Sequence, residues 1–70
     1  MKLNYGEALK DQRINAGLSQ KELSKETGIP QQTISWSETN QGVPSIDFCV
    51  QLADFYGISV DELIGHEIKK

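Results

Sequence analysis

The chain has 70 residues, a formal net charge of −3, one cysteine and 37% hydrophobic residues. This length predicts one small domain over residues 1–70, and the apolar content is typical of a folded chain. A single cysteine excludes an internal disulfide, and we expect Cys49 to be buried because it lies in an apolar run. No stretch approaches the ~20 apolar residues of a membrane span and no signal peptide opens the chain, so we expect a cytoplasmic protein.

The first predicted helix begins near Tyr5. Asn4 and Glu7 have capping-box spacing, in which each side chain can hydrogen-bond the backbone amide of the other residue. Gly17 supplies the stop, because glycine enters the left-handed conformation without a steric penalty at Cβ. Helical intervals separate the residues Ala8, Leu9, Arg13 and Ala16.

Residues 20–38 predict two short helices separated by a tight turn. Ser19 and Glu22 have capping-box spacing at the start of the first of these helices, which runs to about Thr27. Gly28 then supplies the stop. Two helices joined by a turn of 3–4 residues that contains glycine form the helix-turn-helix unit.

The second helix of this unit carries small polar side chains that we expect to face outward. Their spacing suits contacts with base edges in the major groove of DNA, and glutamine can bond N6 and N7 of adenine with both ends of its amide. The alternative is an ordinary solvated helix face. The residues concerned are Gln31, Gln32, Thr33 and Ser35.

Two further helices are predicted towards the end of the chain. Ser45 can cap a fourth helix that ends at Gly57, and Ser59 with Glu62 makes a capping box for a short fifth helix. No strand pattern of period two occurs, so we expect an all-α fold, and residues 66–70 predict a frayed tail. The apolar stripe of the fourth helix comprises Ile46, Cys49, Leu52, Ala53 and Tyr56, widened by Phe48 and Phe55.

In combination, these features resemble the Cro/repressor-type helix-turn-helix family, also called the xenobiotic-response-element family, of phage and bacterial regulators. The resemblance covers about Leu9 to Gly65. It rests on the segment GLSQKELSKETGIPQQTIS, on Glu38 and on the segment PSIDFCVQLADFYGISVDELIG. It implies five short helices in a lambda-repressor-like DNA-binding domain, acting in a bacterial host cell.

The resemblance also implies roles for individual side chains. Gln20 matches a glutamine that binds a DNA phosphate, and Gln31 with Gln32 matches the pair that reads bases. Arg13 and Glu38 match a semi-buried ion pair that ties the first helix to the third, which is architecture rather than a DNA contact. Further candidate contacts with the groove or the DNA backbone are Thr33, Ser35 and Asn40.

Charge is distributed unusually for this family. No Lys or Arg occurs between Pro30 and Phe48, so phosphate contacts by cations would come from lysines earlier in the chain. Because Lys and Arg supply most of the non-specific affinity for DNA, we expect a monomer to bind weakly. The candidate lysines are Lys10, Lys21 and Lys25.

Two adjacent residues depart from the family pattern. Ser37 stands where the family usually has a large apolar residue that faces the core, and Trp36 stands where it usually has a polar or basic one. Either the helix rotates to bury Trp36, or Trp36 lies at the surface. An exposed tryptophan is a typical hot spot of a protein interface.

Two functions fit these observations. The first is a sequence-specific double-stranded DNA-binding regulator, such as a repressor, that reads a pseudo-palindromic operator as a homodimer. The second is an antirepressor, as in a phage lysogeny switch, that forms a hetero-complex with another repressor's DNA-binding domain. The glutamines favour the first, whereas the acidic balance and Trp36 favour the second. The one histidine has no partner cluster, and no phosphate loop, metal-ligand spacing or nucleophile–base set occurs, so we expect no enzyme activity, metal or cofactor.

Overall fold

The computed structural model describes residues 5–42 and 44–65, which form five α-helices and no strand. The all-α prediction is therefore confirmed. Asn4, whose cap was predicted, and the tail at 66–70 lie outside the described residues. No helix in the described part is long and apolar enough to cross a membrane. The helices are α1 (Tyr5–Asn15), α2 (Gln20–Thr27), α3 (Gln31–Glu38), α4 (Ile46–Tyr56) and α5 (Val60–Ile64).

Local capping interactions define where these short helices begin and end. The Ser19 hydroxyl accepts a hydrogen bond from the Glu22 amide at 3.0 Å, and the Glu22 carboxylate accepts one from the Ser19 amide at 2.9 Å. The hydrogen bonds from Ser19 lower the pKa of the Glu22 carboxyl. Gly28 ends α2 in the left-handed conformation, with φ of 78°. Because isolated helices of this length are marginal in water, such caps and the shared core must stabilise them together.

The core draws side chains from all four longer helices, from α5 and from the turn before α3. α1 packs against α3 and α5, and α2 packs against α3 and α4. Cys49 is buried as predicted, and burial raises the pKa of its thiol. The buried apolar residues are Leu9, Leu23, Ile29, Ile34, Phe48, Cys49, Leu52, Ala53 and Leu63.

The prediction that Ile46 belongs to the apolar stripe of α4 is wrong. Its side chain is 81% exposed. With about 3.6 residues per turn, Ile46 lies roughly a quarter turn from the centre of the buried stripe around Leu52 and Tyr56. Phe55 lies a similar angle away on the other side and is exposed for the same reason.

The start of α1 is held against the end of α3 by a close backbone contact at Gly6. Its amide donates a hydrogen bond to Oδ1 of Asn40 at 3.0 Å. Asn40 follows α3 in the left-handed conformation, with φ of 60°. A Cβ atom on Gly6 would lie 2.6 Å from the carbonyl oxygen of Glu38 and 2.7 Å from Asn40 Oδ1. Glycine is therefore needed at position 6 because the two helices approach so closely.

We expect Gly6→Ala to destabilise the fold by about 1–3 kcal/mol, the range for inserting a group into a well-packed site. The measurement is the urea midpoint of unfolding followed by circular dichroism. Asp11→Ala, an exposed substitution on the same helix, is the control and should leave the midpoint unchanged or slightly raised. A Gly6→Ala protein as stable as wild type would contradict the close approach.

Candidate nucleic-acid interface

Helix α3 buries one face and exposes the other. Ile34, Ser37 and Glu38 are buried, which fixes the rotation of the helix about its own axis. On the opposite face lie Gln32 and, one turn later, Trp36, which is 54% exposed. Since Ser37 faces the core, the helix has not rotated to bury the indole ring. Trp36 therefore lies at the surface.

The four polar candidates on α3 are not equally accessible. Gln31 and Gln32, in its first turn, are exposed, whereas Thr33 and Ser35 are half-buried. Pro30 precedes the helix without a side-chain cap, so no cap covers the first turn. The exposed face consequently presents two carboxamides and the indole of Trp36, and none of these groups is charged.

A pocket of about 310 Å³ adjoins this face, between α3 and the start of α4. Trp36 and Phe48 form apolar walls, and the small side chain of Ser37 forms part of its lining. Gly42 lies next to the indole, since a Cβ atom there would be 3.6 Å from Trp36 Cε3. The loop after α3 thus passes close to the tryptophan ring. No sequence pattern indicates this pocket directly, apart from the small residue at position 37.

Glu38, the last residue of α3, forms the ion pair with Arg13 of α1. Nε of Arg13 lies 2.7 Å from Oε2 of Glu38, and Nη2 lies 3.0 Å from Oε1. The third donor, Nη1, bonds the carbonyl oxygen of Leu18 at 2.9 Å. The side chains are only 11% and 4% exposed. The hydrogen bonds to Glu38 raise the pKa of the Arg13 guanidinium, so the guanidinium stays charged.

Helix α2 also contacts the carboxylate of Glu38, through Gln20. Its Nε2 donates a hydrogen bond to Oε1 of Glu38 at 3.1 Å. One buried carboxylate therefore accepts hydrogen bonds from α1 and from the first residue of α2. Sequence reasoning missed this bond, because Gln20 and Glu38 are 18 residues apart and nothing local links them.

The turn between α2 and α3 is held by side chains from within and outside it. The Ser24 hydroxyl donates to the carbonyl oxygen of Ile29, whose apolar side chain is buried. Gln51 of α4 donates from Nε2 to the carbonyl oxygen of Thr27 at 2.6 Å. These contacts fix the angle at which α3 leaves the turn, and hence the direction of its exposed face.

The predicted phosphate contacts are placed at the surface of three elements. Lys10 lies on α1, and Lys21 and Lys25 lie on α2, all exposed. Asn40 is also exposed, but its Oδ1 accepts the hydrogen bond from Gly6. The lysines are therefore the cations within the described helices that solvent, or an anion, can reach most directly.

A family model described as Helix-turn-helix matches residues 9–63. The chain belongs to the helix-turn-helix family. The resemblance to Cro/repressor-type regulators is thereby confirmed.

Two curated helix-turn-helix proteins are similar in sequence. The chain is 31% identical over 65 residues to the HTH-type transcriptional regulator ImmR of Bacillus subtilis (strain 168), an alignment of 93% of this chain and 51% of ImmR. It is 30% identical over 59 residues to the uncharacterized HTH-type transcriptional regulator MJ0272 of Methanocaldococcus jannaschii, covering 84% of this chain and 89% of that protein. The chain thus spans about half the length of ImmR.

Two solved structures share this helix-turn-helix fold. A transcriptional regulator from Listeria innocua superposes with a TM-score of 0.83 at 20% identity, over all of this chain and 65% of that one. At this identity the likeness concerns the fold alone. The S. venezulae BldD DNA-binding domain superposes with a TM-score of 0.78 at 25% identity, over 87% of this chain and 91% of that one.

We expect Arg13→Ala to destabilise this helix-turn-helix domain by about 3–5 kcal/mol, because it leaves the charge of Glu38 buried without its partner. Urea unfolding measures the loss. Lys25→Ala removes an exposed cation from the neighbouring helix α2 and serves as the control, with a change of less than about 0.5 kcal/mol expected. Equal effects of the two substitutions would show that Arg13 and Glu38 are solvated in solution.

The charges of this ion pair act on the side chain of Tyr56. Its hydroxyl is buried, and among the described residues no group hydrogen-bonds to it. Burial raises the pKa of the phenol, the negative charge of Glu38 raises it further, and the positive charge of Arg13 lowers it by less. The folded state therefore retains this proton at pH values where the unfolded chain has lost it. The resulting stability is complete below the unfolded pKa of about 10 and declines as pH rises towards the folded value.

We expect the wild-type protein to lose more stability between about pH 8 and pH 11 than Tyr56→Phe does. Unfolding by urea at several pH values tests this. Tyr56→Phe should be at least as stable as wild type at neutral pH, because it removes a buried hydroxyl without a partner. Parallel pH profiles for the two proteins would contradict the burial of the phenol beside Glu38.

Proposed function

We propose that this chain is a sequence-specific double-stranded DNA-binding transcriptional regulator of the repressor or Cro type, without catalytic activity. The observation that carries the proposal is the exposed face of α3, whose first turn presents Gln31 and Gln32. Ile34 and Glu38 anchor the opposite face of the helix in the core and in the ion pair. A helix held in this way can enter a major groove as a rigid body.

Base recognition falls to the two glutamines. Each carboxamide has one donor and one acceptor end, which match N7 and N6 of adenine in the major groove. Thr33 and Ser35 flank them and can reach the groove wall or the DNA backbone. We therefore propose an operator with A·T pairs where the first turn of α3 enters the groove.

Phosphate contacts fall outside α3. Gln20, at the start of α2, and the exposed lysines Lys10, Lys21 and Lys25 are the proposed partners of the DNA backbone, with Asn40 as a further candidate. With so few cations, a monomer would bind DNA weakly. A homodimer bound to two half-sites in adjacent major grooves would double the number of contacts. That the relatives are HTH-type transcriptional regulators supports this assignment.

A second candidate function is favoured by Trp36 and its surroundings. The indole is exposed beside an apolar pocket, and the sequence from Pro30 to Phe48 contains no Lys or Arg. Such a neutral, aromatic surface is suited to a protein partner. On this alternative the chain is an antirepressor that binds another repressor's DNA-binding domain.

We expect Gln31→Ala and Gln32→Ala each to lose ~1–3 kcal/mol of discrimination at one base pair, since each removes one bidentate contact. Selection of duplexes from a randomised library measures the preference of each variant. Gln41→Ala, an exposed glutamine in the loop after α3, is the control and should select the wild-type sequence. Unchanged selection by both α3 variants would rule out base readout by this helix.

Titration of duplex DNA from the protein's own promoter region, at several salt concentrations, separates the two candidate functions. For the regulator, we expect the logarithm of the affinity to fall against the logarithm of salt with a slope of roughly −3 for a monomer and roughly −5 for a dimer. Absence of DNA binding, together with a tight complex with a neighbouring repressor, would support the antirepressor instead. In that complex Trp36→Ala should cost ~2 kcal/mol or more.

A further inference from the structure

We propose that Glu38 is a positioning residue for Gln20: it holds the carboxamide in the orientation that binds a DNA phosphate. This inference rests on the proposed function, in which Gln20 contacts the DNA backbone. It adds a role for Glu38 that goes beyond the ion pair with Arg13. Glu38 itself is 4% exposed at its side chain and does not reach the surface that DNA would meet.

The carboxylate of Glu38 is a fixed reference point for its neighbours. Arg13 holds it through two hydrogen bonds of 2.7 and 3.0 Å. Arg13 is in turn held by the carbonyl oxygen of Leu18, in the link that leads to α2. Because both oxygens are engaged, the carboxylate has no freedom to follow the movements of a surface side chain. Gln20 must instead adapt to Glu38.

This contact decides which end of the Gln20 amide faces inward. A carboxylate can only accept hydrogen bonds, so the NH₂ group, and not the carbonyl oxygen, must face Glu38. Nε2 lies 3.1 Å from Oε1. The NH₂ group carries two hydrogens, and the bond to Glu38 uses one of them. The other remains able to donate to a phosphate oxygen, so Gln20 can bridge the buried carboxylate and the DNA backbone.

Without Glu38, a half-buried glutamine at the start of a helix would sample several rotamers and both amide orientations. One of those orientations presents the carbonyl oxygen to the phosphate, which repels it. Ordering such a side chain on binding costs about 0.5–1.5 kcal/mol, equivalent to a loss in affinity of about two- to tenfold. In the folded protein the bond to Glu38 removes most of this cost before DNA binds.

The test is a double-mutant cycle in DNA affinity, with Gln20→Met, Glu38→Gln and the combined variant. Methionine keeps the length of the side chain but donates no hydrogen bond. We expect Gln20→Met to weaken binding because it removes the phosphate contact, and we expect the coupling between the two substitutions to be about two- to tenfold in affinity. Glu38→Gln should weaken binding in the wild-type background by more than it does in the Gln20→Met background. The general effect of removing one negative charge is equal in both backgrounds and cancels from the cycle.

The dependence of DNA affinity on salt distinguishes the loss of a hydrogen bond from the loss of a charge. Gln20→Met removes no charge, so the slope against salt should remain as in wild type. Lys21→Gln, at the next position on α2, should weaken binding and also make the slope shallower by about 0.9. If Glu38→Gln weakens binding by the same factor with and without Gln20, Glu38 acts through the fold alone and the proposal is overturned.

A measurement without DNA separates this proposal from the proposed function and does not depend on the stability of a variant. In the free ¹⁵N-labelled wild-type protein, the side-chain NH₂ group of Gln20 should be more rigid than that of Gln41, which is exposed in the loop after α3. Equal mobility of the two groups would overturn the positioning role. A rigid Gln20 in a protein that binds no duplex would show that the proposed function, rather than this contact, has failed.

Discussion

One buried carboxylate connects the three helices on which the candidate interface depends. Glu38 is the last residue of α3, and its carboxylate oxygens accept hydrogen bonds from Arg13 of α1 and Gln20 of α2. Burying a charge is costly unless it is paired and its remaining hydrogen-bonding capacity is used, and this group meets both conditions. The orientation of α3 relative to α1 and α2 is consequently set by a polar network as well as by the core. The exposed face of α3 is therefore presented at a fixed angle to the start of α2.

The polar network orients α3, whose exposed face carries no positive charge. The exposed face of α3 carries carboxamides and an indole, and the stretch from Pro30 to Phe48 holds no cation. On the proposed function, electrostatic attraction to DNA would thus be weak, and specificity would come from correctly placed hydrogen bonds and apolar contacts. A rigid surface loses little entropy on binding, which matters more when few cations contribute. The same rigidity and neutrality would also suit a protein partner at Trp36.

Local signals in the sequence predicted most of the fold. The capping boxes at Ser19 and Ser59 and the glycine stops at Gly28 and Gly57 depend on neighbouring residues only, and the structure contains all of them. The prediction that Ile46 is buried fails because an apolar residue at the edge of the stripe can lie either inside or outside the core. Its burial depends on which elements cover the first turn of α4, and no local pattern records that.

The contacts that organise the site are long-range and are harder to predict from the sequence. The resemblance to a known family implied the pairing of Arg13 with Glu38, but not the bond from Gln20. The contact of Gly6 with Asn40 joins residues 34 positions apart and has no signature at either end. The sequence does not decide whether Trp36 or Ser37 faces the core, because the rotation of an eight-residue helix depends on the elements packed against it.

On the proposed function, the first turn of α2 and the exposed face of α3 form one DNA-binding surface. Titration of the ¹⁵N-labelled protein with duplex DNA from its own promoter region, followed by nuclear magnetic resonance, tests it most directly. We expect saturable shifts that are largest at the side-chain amides of Gln20, Gln31 and Gln32 and at the indole of Trp36. Shifts confined to the exposed apolar side chains of α4, Ile46 and Val50, or no saturable shifts, would contradict the account.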